Sequence, residues 1–243
     1  RTYVDMIVDR FRFNQNSRVV EIASNDGYLL KNFVSRGIPV LGVEPAANVA
    51  EVAREKGINT KVAFFGEKTA GGLVEGGWTA DLIIGNNVLA HVPDLNDFVR
   101  GLKVLLKPTG LITMEFPHLL QLVEQNQFDT IYHEHFSYFS FIAVERVFSR
   151  HGMQLFDVEE LPTHGGSLRI YACHESDTSK PTETRAKELK SREEAIGFGH
   201  LSHYLTVGPR VEATKRKLLA FLIAAKQEGK RVVGYGAPAK GNT

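Results

Sequence analysis

The stretch RVVEIASNDG, residues 18–27, decides the fold of this chain. Its apolar run from Val19 to Ala23 predicts a buried strand, and the strand stops at a turn of small and polar residues, 24–27. An apolar helix is predicted to follow from Tyr28 onward. A strand that ends in such a turn and leads into a helix is where α/β proteins bind ligands. The rest of the chain is therefore expected to be organised around this turn.

Outward from this turn, short apolar runs alternate with amphipathic segments for about half of the chain. Such regular alternation predicts a doubly wound, Rossmann-like α/β fold, with a mostly parallel sheet and helices on both faces. The further predicted strands are residues 39–45, 60–65, 81–85 and 111–116, and the helices between them are residues 27–36, 46–56 and 95–106.

The pattern changes after Pro117. A short helix over residues 118–127 is predicted first, and residues 128–139 are dense in aromatic and histidine side chains. A helix over residues 141–150 is predicted next. It is followed by strands over residues 153–160 and 167–173, which are joined by a hairpin-like connection. The sheet should therefore end in an antiparallel strand pair. Residues 180–229 are charged with a helical period, and the charge run at 187–194 is typical of a solvated helix face.

Composition excludes several classes of function. The 243 residues are 43% hydrophobic, and 29 basic against 28 acidic side chains leave a net charge of +1, which disfavours a nucleic-acid partner. No apolar run approaches the ~18 residues of a membrane span. The single Cys173 excludes an internal disulfide and a cysteine zinc cluster in this sequence. We therefore predict a cytoplasmic protein, monomeric or weakly dimeric, with a small-molecule substrate.

The turn itself indicates the kind of ligand. Its sequence ExASNDG is not GxGxxG, so the dinucleotide fingerprint is absent. Asp26 and Gly27 allow the backbone to approach a ligand closely, and Glu44, about 20 residues further on, is placed to accept the hydroxyls of a ribose. The alternative is that Asp26 is an ordinary helix cap. Glu21, within the strand, is expected to reach an ammonium group or a backbone amide.

The missing glycines favour S-adenosylmethionine over NAD. A pyrophosphate needs bare backbone at the turn, whereas a methionine moiety does not. Phe64 is a candidate for packing against adenine, although two aromatics at a strand end also suit the core, and the end of the fourth strand is expected to flank the reactive end of the cofactor. The predicted cofactor-binding residues are Glu21, Ala23, Asn25, Asp26, Gly27, Glu44, Pro45, Phe64, Asn86 and Asn87.

Five segments together resemble one family. VVEIASNDGYLL, LGVEPAANVA, NNVLAHVPDL, YHEHFSYFS and HGGSLR look like segments of the S-adenosylmethionine-dependent sugar C-methyltransferases. The resemblance covers nearly the whole chain. It implies a class I methyltransferase sheet, and it implies methyl transfer to a carbon of a nucleotide-linked 4-keto deoxysugar.

The resemblance also implies a domain organisation. In the family, a small zinc module of cysteines precedes this region and a further α/β domain follows it, opening with GYGAPAKGNT. Zinc is therefore expected only in a module that this sequence lacks, and no metal is expected in the chemistry. We predict an S-adenosylmethionine-binding methyltransferase domain over residues 1–178, a helical linker over 179–230, and the start of a truncated C-terminal α/β domain over 231–243.

The histidine-rich stretch YHEHFSY, residues 132–138, is the candidate catalytic segment. It lacks the i, i+4 histidine pair of a zinc helix, and buried structural histidines are another alternative. Carbon methylation requires a base to remove the proton beside the ketone, and the pKa of histidine, ~6.5, suits that role. By resemblance, His135 is the general base, Tyr132 and His91 are donors to the substrate, and Glu134 orients the base or binds a substrate hydroxyl.

A second candidate region is HGGSLR, where glycines expose backbone amides. The predicted substrate-binding residues are His164, Ser167, Arg169 and Lys240, with Arg169 holding a diphosphate; the alternative for the first three is a tight hairpin carrying a surface arginine. Two other functions remain open at this point. One is a methyltransferase that acts on oxygen or nitrogen, and the other is a non-catalytic binding domain. An NAD-dependent oxidoreductase is disfavoured by the absent glycine fingerprint.

Overall fold

The sheet determines the architecture of this protein. In the computed structural model, which describes residues 1–234 and 236, seven strands form one sheet in the order β3-β2-β1-β4-β5-β7-β6. The five strands β3, β2, β1, β4 and β5 are parallel, and β7 is antiparallel to both β5 and β6. The strands are β1 (Val19–Ile22), β2 (Val40–Glu44), β3 (Thr60–Val62), β4 (Ala80–Asn86), β5 (Leu106–Pro117), β6 (Met153–Leu161) and β7 (Ser167–His174). The predicted doubly wound fold with a terminal antiparallel pair is confirmed.

Helices cover both faces of the sheet. They are α1 (Thr2–Phe11), α2 (Lys31–Val34), α3 (Ala47–Glu55), α4 (Glu67–Glu75), α5 (Leu95–Leu105), α6 (Leu119–Glu124), α7 (Phe141–Arg150), α8 (Thr184–Ala195), α9 (Leu201–Tyr204) and α10 (Val207–Gln227). None of the helices in the described part of the chain has the length and apolarity needed to cross a membrane.

One helix prediction was wrong, and one helix was not predicted. The helix expected over residues 27–36 is reduced to α2, because Asn25 and Gly27 have φ angles of 55° and 76° and the chain turns until residue 30. The sequence analysis also missed α4, which contains Gly71 and Gly72. Glycine is a poor helix former, so local propensity argued against this helix. Packing of Ala70 and Leu73 into the core overrides that propensity.

Each face of the sheet has its own hydrophobic cluster. On one face, Val20 and Ile22 of β1 pack in a cluster with Phe98 and Leu102 of α5. On the other face, Val19 packs in a cluster with residues of α1. All four residues of β1 are buried, as expected for a parallel strand covered on both sides. The carboxyl ends of β1, β2 and β4 therefore meet at one fixed edge of the sheet.

The first helix of the predicted linker is part of this body. Ala186 and Leu189 of α8 belong to the core cluster of the sheet, and Glu193 is fully buried. By contrast, α10 is exposed along most of its length. The division at residues 178 and 230 remains a prediction.

A buried carboxylate connects α1, β6 and α8. Asp157 of β6 is fully buried and is paired with Arg10 of α1 and Arg185 of α8, and it also accepts the backbone N–H of Val158. Burial alone would raise the pKa of Asp157, but the two guanidinium groups and the backbone N–H outweigh it and hold the pKa below its usual value.

We expect the Asp157→Asn variant to be less stable at pH 7 by about 2 kcal/mol, because it removes the charge that both arginines share. Both arginines are partly exposed, so solvent screens the loss. Since the pKa of Asp157 is lowered in the folded state, its stabilising effect is present above the unfolded pKa of about 3.9 and disappears as the pH falls below it. Urea denaturation at pH 7 and pH 3 measures this, with the exposed pair variant Glu212→Gln as control. An equal loss at both pH values would contradict the charge argument.

Candidate active site

The turn after β1 is shaped by left-handed residues. Ala23, Asn25 and Gly27 have φ angles of 55°, 55° and 76°. A Cβ on Gly27 would lie 2.7 Å from Cγ1 of Ile58, so glycine is required there by space as well as by conformation. The N–H of Ala23 donates to the carbonyl of Val43 at 2.8 Å, which fixes the turn against β2.

Glu44 joins the turn to the end of β2. Its Oε2 accepts the backbone N–H of Asn25 at 3.1 Å, and its Oε1 accepts that of Ala46 at 2.9 Å. The carboxylate is buried and fixed in orientation. Each of its oxygens keeps a lone pair, so it can accept two neighbouring hydroxyl groups of a ligand.

Glu21 is the acid of this site that is buried with an unsatisfied oxygen in the described part of the chain. It is 2% exposed, and its Oε2 has no hydrogen-bond partner among the described residues. Burial, and then the nearby charge of Glu44, raises the pKa of Glu21 well above its usual value. A buried carboxylate in this state favours a cationic ligand, because a cation would restore the charged form.

Asp26 has a different environment. Its carboxylate is paired with Lys56 and accepts the N–H of Tyr28 at 3.3 Å. The hydrogen bond to Lys56 lowers the pKa of Asp26. The alternative that Asp26 caps a helix is wrong, because α2 begins only at Lys31. Its contact with a cofactor remains a prediction.

A largely apolar cavity of about 450 Å³ opens beside the turn. Phe64 is 83% exposed at its lip, whereas the ring of Phe65 packs edge-on against Phe98 with centroids 5.3 Å apart. The core alternative therefore holds for Phe65 and not for Phe64. The cavity is lined by Ile22, Ala23, Val43, Pro45, Ala63, Phe64, Phe65, Asn87, Val88, His91, Val92, Pro93, Asp94, Asp97 and Phe98.

A second cavity, of about 500 Å³, adjoins the first and shares Asn87 and His91 with it. Asn87 follows β4 with a φ of 54°, and its N–H donates to the carbonyl of Glu115 at 2.7 Å. Asn86 lies one residue earlier, in register with Glu115. The remaining lining residues of the second cavity are Pro117, Gln127, Asp129, Thr130, Tyr132, His135, Tyr138, His164 and Gly165.

Two histidines meet at this second cavity. The rings of His91 and His135 are arranged edge to face, with centroids 4.6 Å apart. The hydroxyl oxygen of Tyr132 lies 3.0 Å from Nε2 of His135, at hydrogen-bonding distance. The N–H of Phe136 donates to the carbonyl of Ala90 at 2.8 Å, which holds the histidine-rich loop against the short 3-10 turn that carries His91.

The surroundings of Tyr132 in this loop change the pKa of its hydroxyl. Burial, and then the negative charge of Glu134, raises the pKa of Tyr132, so its hydroxyl stays protonated near neutral pH. His133 and Glu134 are exposed beside it. The predicted orienting role of Glu134 remains a prediction.

The HGG loop closes the far side of the second cavity. His164 has a φ of 53° and Gly165 one of 80°, and both line the cavity. The side chain of Ser167 is buried and donates to the carbonyl of Thr163 at 2.9 Å. This hydrogen bond from the hydroxyl of Ser167 stabilises the conformation of the HGG loop.

Arg169 is not at the surface, so the alternative of a hairpin with a surface arginine is wrong. Its guanidinium lies between Glu115 and Glu159, at 3.1 and 2.9 Å. These two carboxylates already balance its charge, and its contact with a diphosphate remains a prediction. Lys240 lies outside the described residues.

Tyr138 and Gln127 line the second cavity but were missing from the predicted site. The hydroxyl of Tyr138 accepts the N–H of Tyr132 at 2.8 Å and donates to its carbonyl at 3.2 Å. Gln127 donates to the carbonyl of Gly165 at 2.9 Å. The aromatic density of residues 128–139 was the available signal for Tyr138, whereas Gln127 had none. Within the described residues, no group of three or more His, Cys, Asp or Glu side chains is arranged to hold a metal ion.

Comparison with known proteins identifies two family models along the chain. Residues 1–158 match the methyltransferase domain, and residues 162–243 match the C-methyltransferase C-terminal domain. The C-methyltransferase NovU of Streptomyces niveus is 35% identical over 242 residues, which is the whole of this chain and 57% of that protein. A ubiquinone biosynthesis O-methyltransferase of a Chelativorans species is 30% identical over 96 residues, covering 39% of this chain and 38% of the relative. The chain thus spans little more than half of the length of the first relative and less than half of the second.

Solved structures share the fold. The magnesium protoporphyrin IX methyltransferase of Synechocystis with bound SAH has a TM-score of 0.54 at 14% identity, covering 71% of this chain and 82% of that one. A Pyrococcus horikoshii protein has a TM-score of 0.53 at 16% identity, covering 70% and 86%. These likenesses show the fold alone.

We expect Glu21→Gln to stabilise the unliganded protein by about 1 kcal/mol at pH 8, because it removes a buried acid whose Oε2 has no hydrogen-bond partner among the described residues. Since the pKa of Glu21 is raised in the folded state, wild type loses stability as the pH rises from the unfolded pKa of about 4.3 through the raised value. The advantage of the variant should therefore be near zero at pH 4 and increase toward pH 8. Urea denaturation at both pH values measures it, with exposed Glu55→Gln as control. A destabilised variant at pH 8 would refute the argument.

Proposed function

The chain belongs to the S-adenosylmethionine-dependent methyltransferases, with a C-methyltransferase C-terminal domain after the methyltransferase domain, and from that premise we propose that it methylates a carbon of a nucleotide-linked keto-deoxysugar. The observation that carries this proposal is the pair of adjoining cavities that share Asn87 and His91. The first cavity adjoins the turn whose carboxylates suit a nucleoside, and the second is lined by His135, the proposed base.

The turn after β1, the carboxylates of Glu21 and Glu44 beside it, and the first cavity that it adjoins fit S-adenosylmethionine. Glu44 has free lone pairs for two ribose hydroxyls, and Glu21 supplies a buried carboxylate for an ammonium group. Phe64 and Pro45 offer apolar surface to an adenine ring. When bound there, the cofactor supplies an electrophilic methyl group on a sulfonium. Asn87 and His91 lie where the two cavities meet, and they would face that methyl group.

The second cavity would hold the sugar. Its volume is within the usual range for small-molecule sites. The imidazole of His135 removes the proton on the carbon beside the ketone, which leaves a nucleophilic enolate. Tyr132, kept protonated by its raised pKa, and His91 are the donors nearest to the developing oxyanion. The edge-to-face packing of His91 and His135 holds the base and a donor in a fixed relation.

The rest of the substrate and the setting of the protein belong to the same proposal. His164 lies at the rim where the nucleotide would leave the cavity, and Arg169 and Lys240 are kept as candidate phosphate ligands. Since the chain spans 57% of NovU, the zinc module, the C-terminal domain from residue 231, the cytoplasmic location and the monomeric or weakly dimeric state are proposals for the whole protein.

We expect Glu44→Gln to weaken S-adenosylmethionine binding by about 10-fold to 100-fold, because hydrogen bonds to a charged acceptor contribute about 1.5–3 kcal/mol. Calorimetry with the purified chain measures this. Glu51→Gln is the matched control and should bind as wild type does. Glu51 lies in α3, the helix that follows β2, and is mostly exposed. Unchanged affinity in the Glu44 variant would remove this residue from the cofactor site.

We expect His135→Ala to lower solvent exchange of the α-proton of a 4-keto sugar nucleotide by about 10²-fold to 10⁴-fold, while cofactor affinity changes little. Deuterium incorporation followed by mass spectrometry measures it. His133→Ala, two residues away and exposed, is the control and should exchange at the wild-type rate.

The product distinguishes carbon from oxygen methylation. With ¹³C-methyl-labelled cofactor, NMR of the product shows the atom to which the methyl group is bonded, and a methyl group on carbon supports the proposal. An ether or ester product would instead favour the alternative methyltransferase that acts on oxygen. Absence of any cofactor binding would favour a non-catalytic domain.

A further inference from the structure

Glu193 is a fully buried carboxylate that the proposed chemistry does not use. It belongs to α8, and its side chain reaches the start of α7 and the end of β5. Oε1 accepts the N–H of Phe141 at 2.8 Å, and Oε2 accepts the N–H of Ile142 at 2.9 Å. Backbone donors at the start of a helix stabilise an anion, so this buried charge is satisfied where it lies.

The same carboxylate holds His118. Nε2 of His118 donates to Oε1 of Glu193 at 2.7 Å, and both side chains are at most 1% exposed. His118 directly follows Pro117, which lines the second cavity, the proposed substrate cavity. The ring of His118 is therefore fixed from outside the cavity by a residue 75 positions further along the chain.

The backbone around His118 connects the two loops of the substrate cavity. Its N–H donates to the carbonyl of Gly166, in the HGG loop, at 2.9 Å. It also forms an isolated bridge with Phe139, and the N–H of Leu119 donates to the carbonyl of Phe139 at 2.9 Å. Phe139 directly follows the histidine-rich loop, residues 132–138, which carries His135. Both cavity loops are thus attached to one point of the chain.

Glu193 also holds the end of the histidine-rich loop by a second route, through the start of α7. The loop leads directly into α7, where Ser140 caps the helix by accepting the N–H of Ala143 at 3.2 Å. Because Glu193 accepts the N–H groups of the next two residues, it sets the position of the first turn of α7. The chain from 139 to 142 is consequently held by His118 on one side and by Glu193 on the other.

We propose that Glu193 is a positioning residue, which sets the placement of His135 in the substrate cavity through His118 and the first turn of α7. This inference rests on the proposed function of His135 as the base and adds a residue from α8 to the machinery. Proton removal depends on the placement of the base to within about 1 Å, so a small shift of this loop is expected to slow it strongly. The cofactor cavity has none of these attachments in its lining, and its affinity should not change.

The test is Glu193→Gln, which keeps the volume and removes the charge. The assay is deuterium exchange at the carbon beside the ketone of thymidine diphospho-4-keto-6-deoxyglucose, with S-adenosylhomocysteine bound so that no methyl transfer intervenes. We expect the exchange turnover to fall about tenfold or more, with KM within about threefold and cofactor affinity within about twofold. Arg192→Gln, on the neighbouring position of α8 with an exposed partner, is the matched control and should behave as wild type.

A double-mutant comparison separates positioning from general destabilisation. In the His135→Ala background, Glu193→Gln should lower the residual exchange by less than about twofold, because residues that act through one another are not additive. The same loss in both backgrounds would overturn the proposal, as would wild-type exchange in Glu193→Gln. If that variant unfolds too readily to assay, His118→Asn removes only the ring's bond to Glu193 and is expected to show the same non-additive loss.

A second readout does not depend on the substrate. The imidazole signals of His135, assigned with His135→Gln, should shift or broaden in ¹H–¹⁵N spectra of Glu193→Gln and remain unchanged in Arg192→Gln. If the wild-type protein does not exchange the probe, the proposed base chemistry fails, and the spectra alone decide the positioning role. Identical His135 signals in wild type and Glu193→Gln would overturn it.

Discussion

The hydrogen bonds that the carboxylate of Glu44 accepts from the backbone of Asn25 and Ala46 are the contacts on which the turn after β1 and the proposed cofactor site depend. They join the turn after β1 to the end of β2, and the turn cannot take a helical course because Asn25 and Gly27 are left-handed. The turn therefore opens a cavity at the edge of the sheet. A single carboxylate fixes the turn and retains acceptors, so the proposed binding would use the same group that holds the structure.

The second cavity, where the substrate is proposed to bind, is constructed differently. Its residues come from loops after β4 and β5, from the hairpin between β6 and β7, and from the approach to α7. Such loops have no sheet ladder to hold them, and the structure supplies attachments one by one: Phe136 to Ala90, Gln127 to Gly165, and His118 to Gly166. The position of His135 thus depends on contacts distributed over residues 90 to 193. The first cavity, at the edge of the sheet, and the second, assembled from loops, meet at Asn87 and His91.

The sequence predicted the sheet well because its signal is local. Buried parallel strands read as apolar runs, and the ends of those runs placed Glu44 and Asn87 at the correct edge. It failed where a long-range contact decides the outcome. The helix α4 forms despite its glycines because its apolar face is buried, and Arg169 is held inside by its hairpin partner Glu159 and by Glu115, which is 54 residues away in the sequence.

The buried carboxylates of this protein differ in whether they have hydrogen-bond or charge partners, and this difference separates the structural ones from the one proposed to bind a ligand. Asp157 has two guanidinium partners and connects helices to the sheet edge, and Glu193 has two backbone donors and a histidine. Glu21 has no such partner in the described residues, although it is equally buried. A folded protein retains an unpaired buried acid at a cost of about 1–3 kcal/mol. A cationic ligand that restores the charge of Glu21 would recover that cost on binding, which makes the energetic weakness of the unliganded turn a source of affinity.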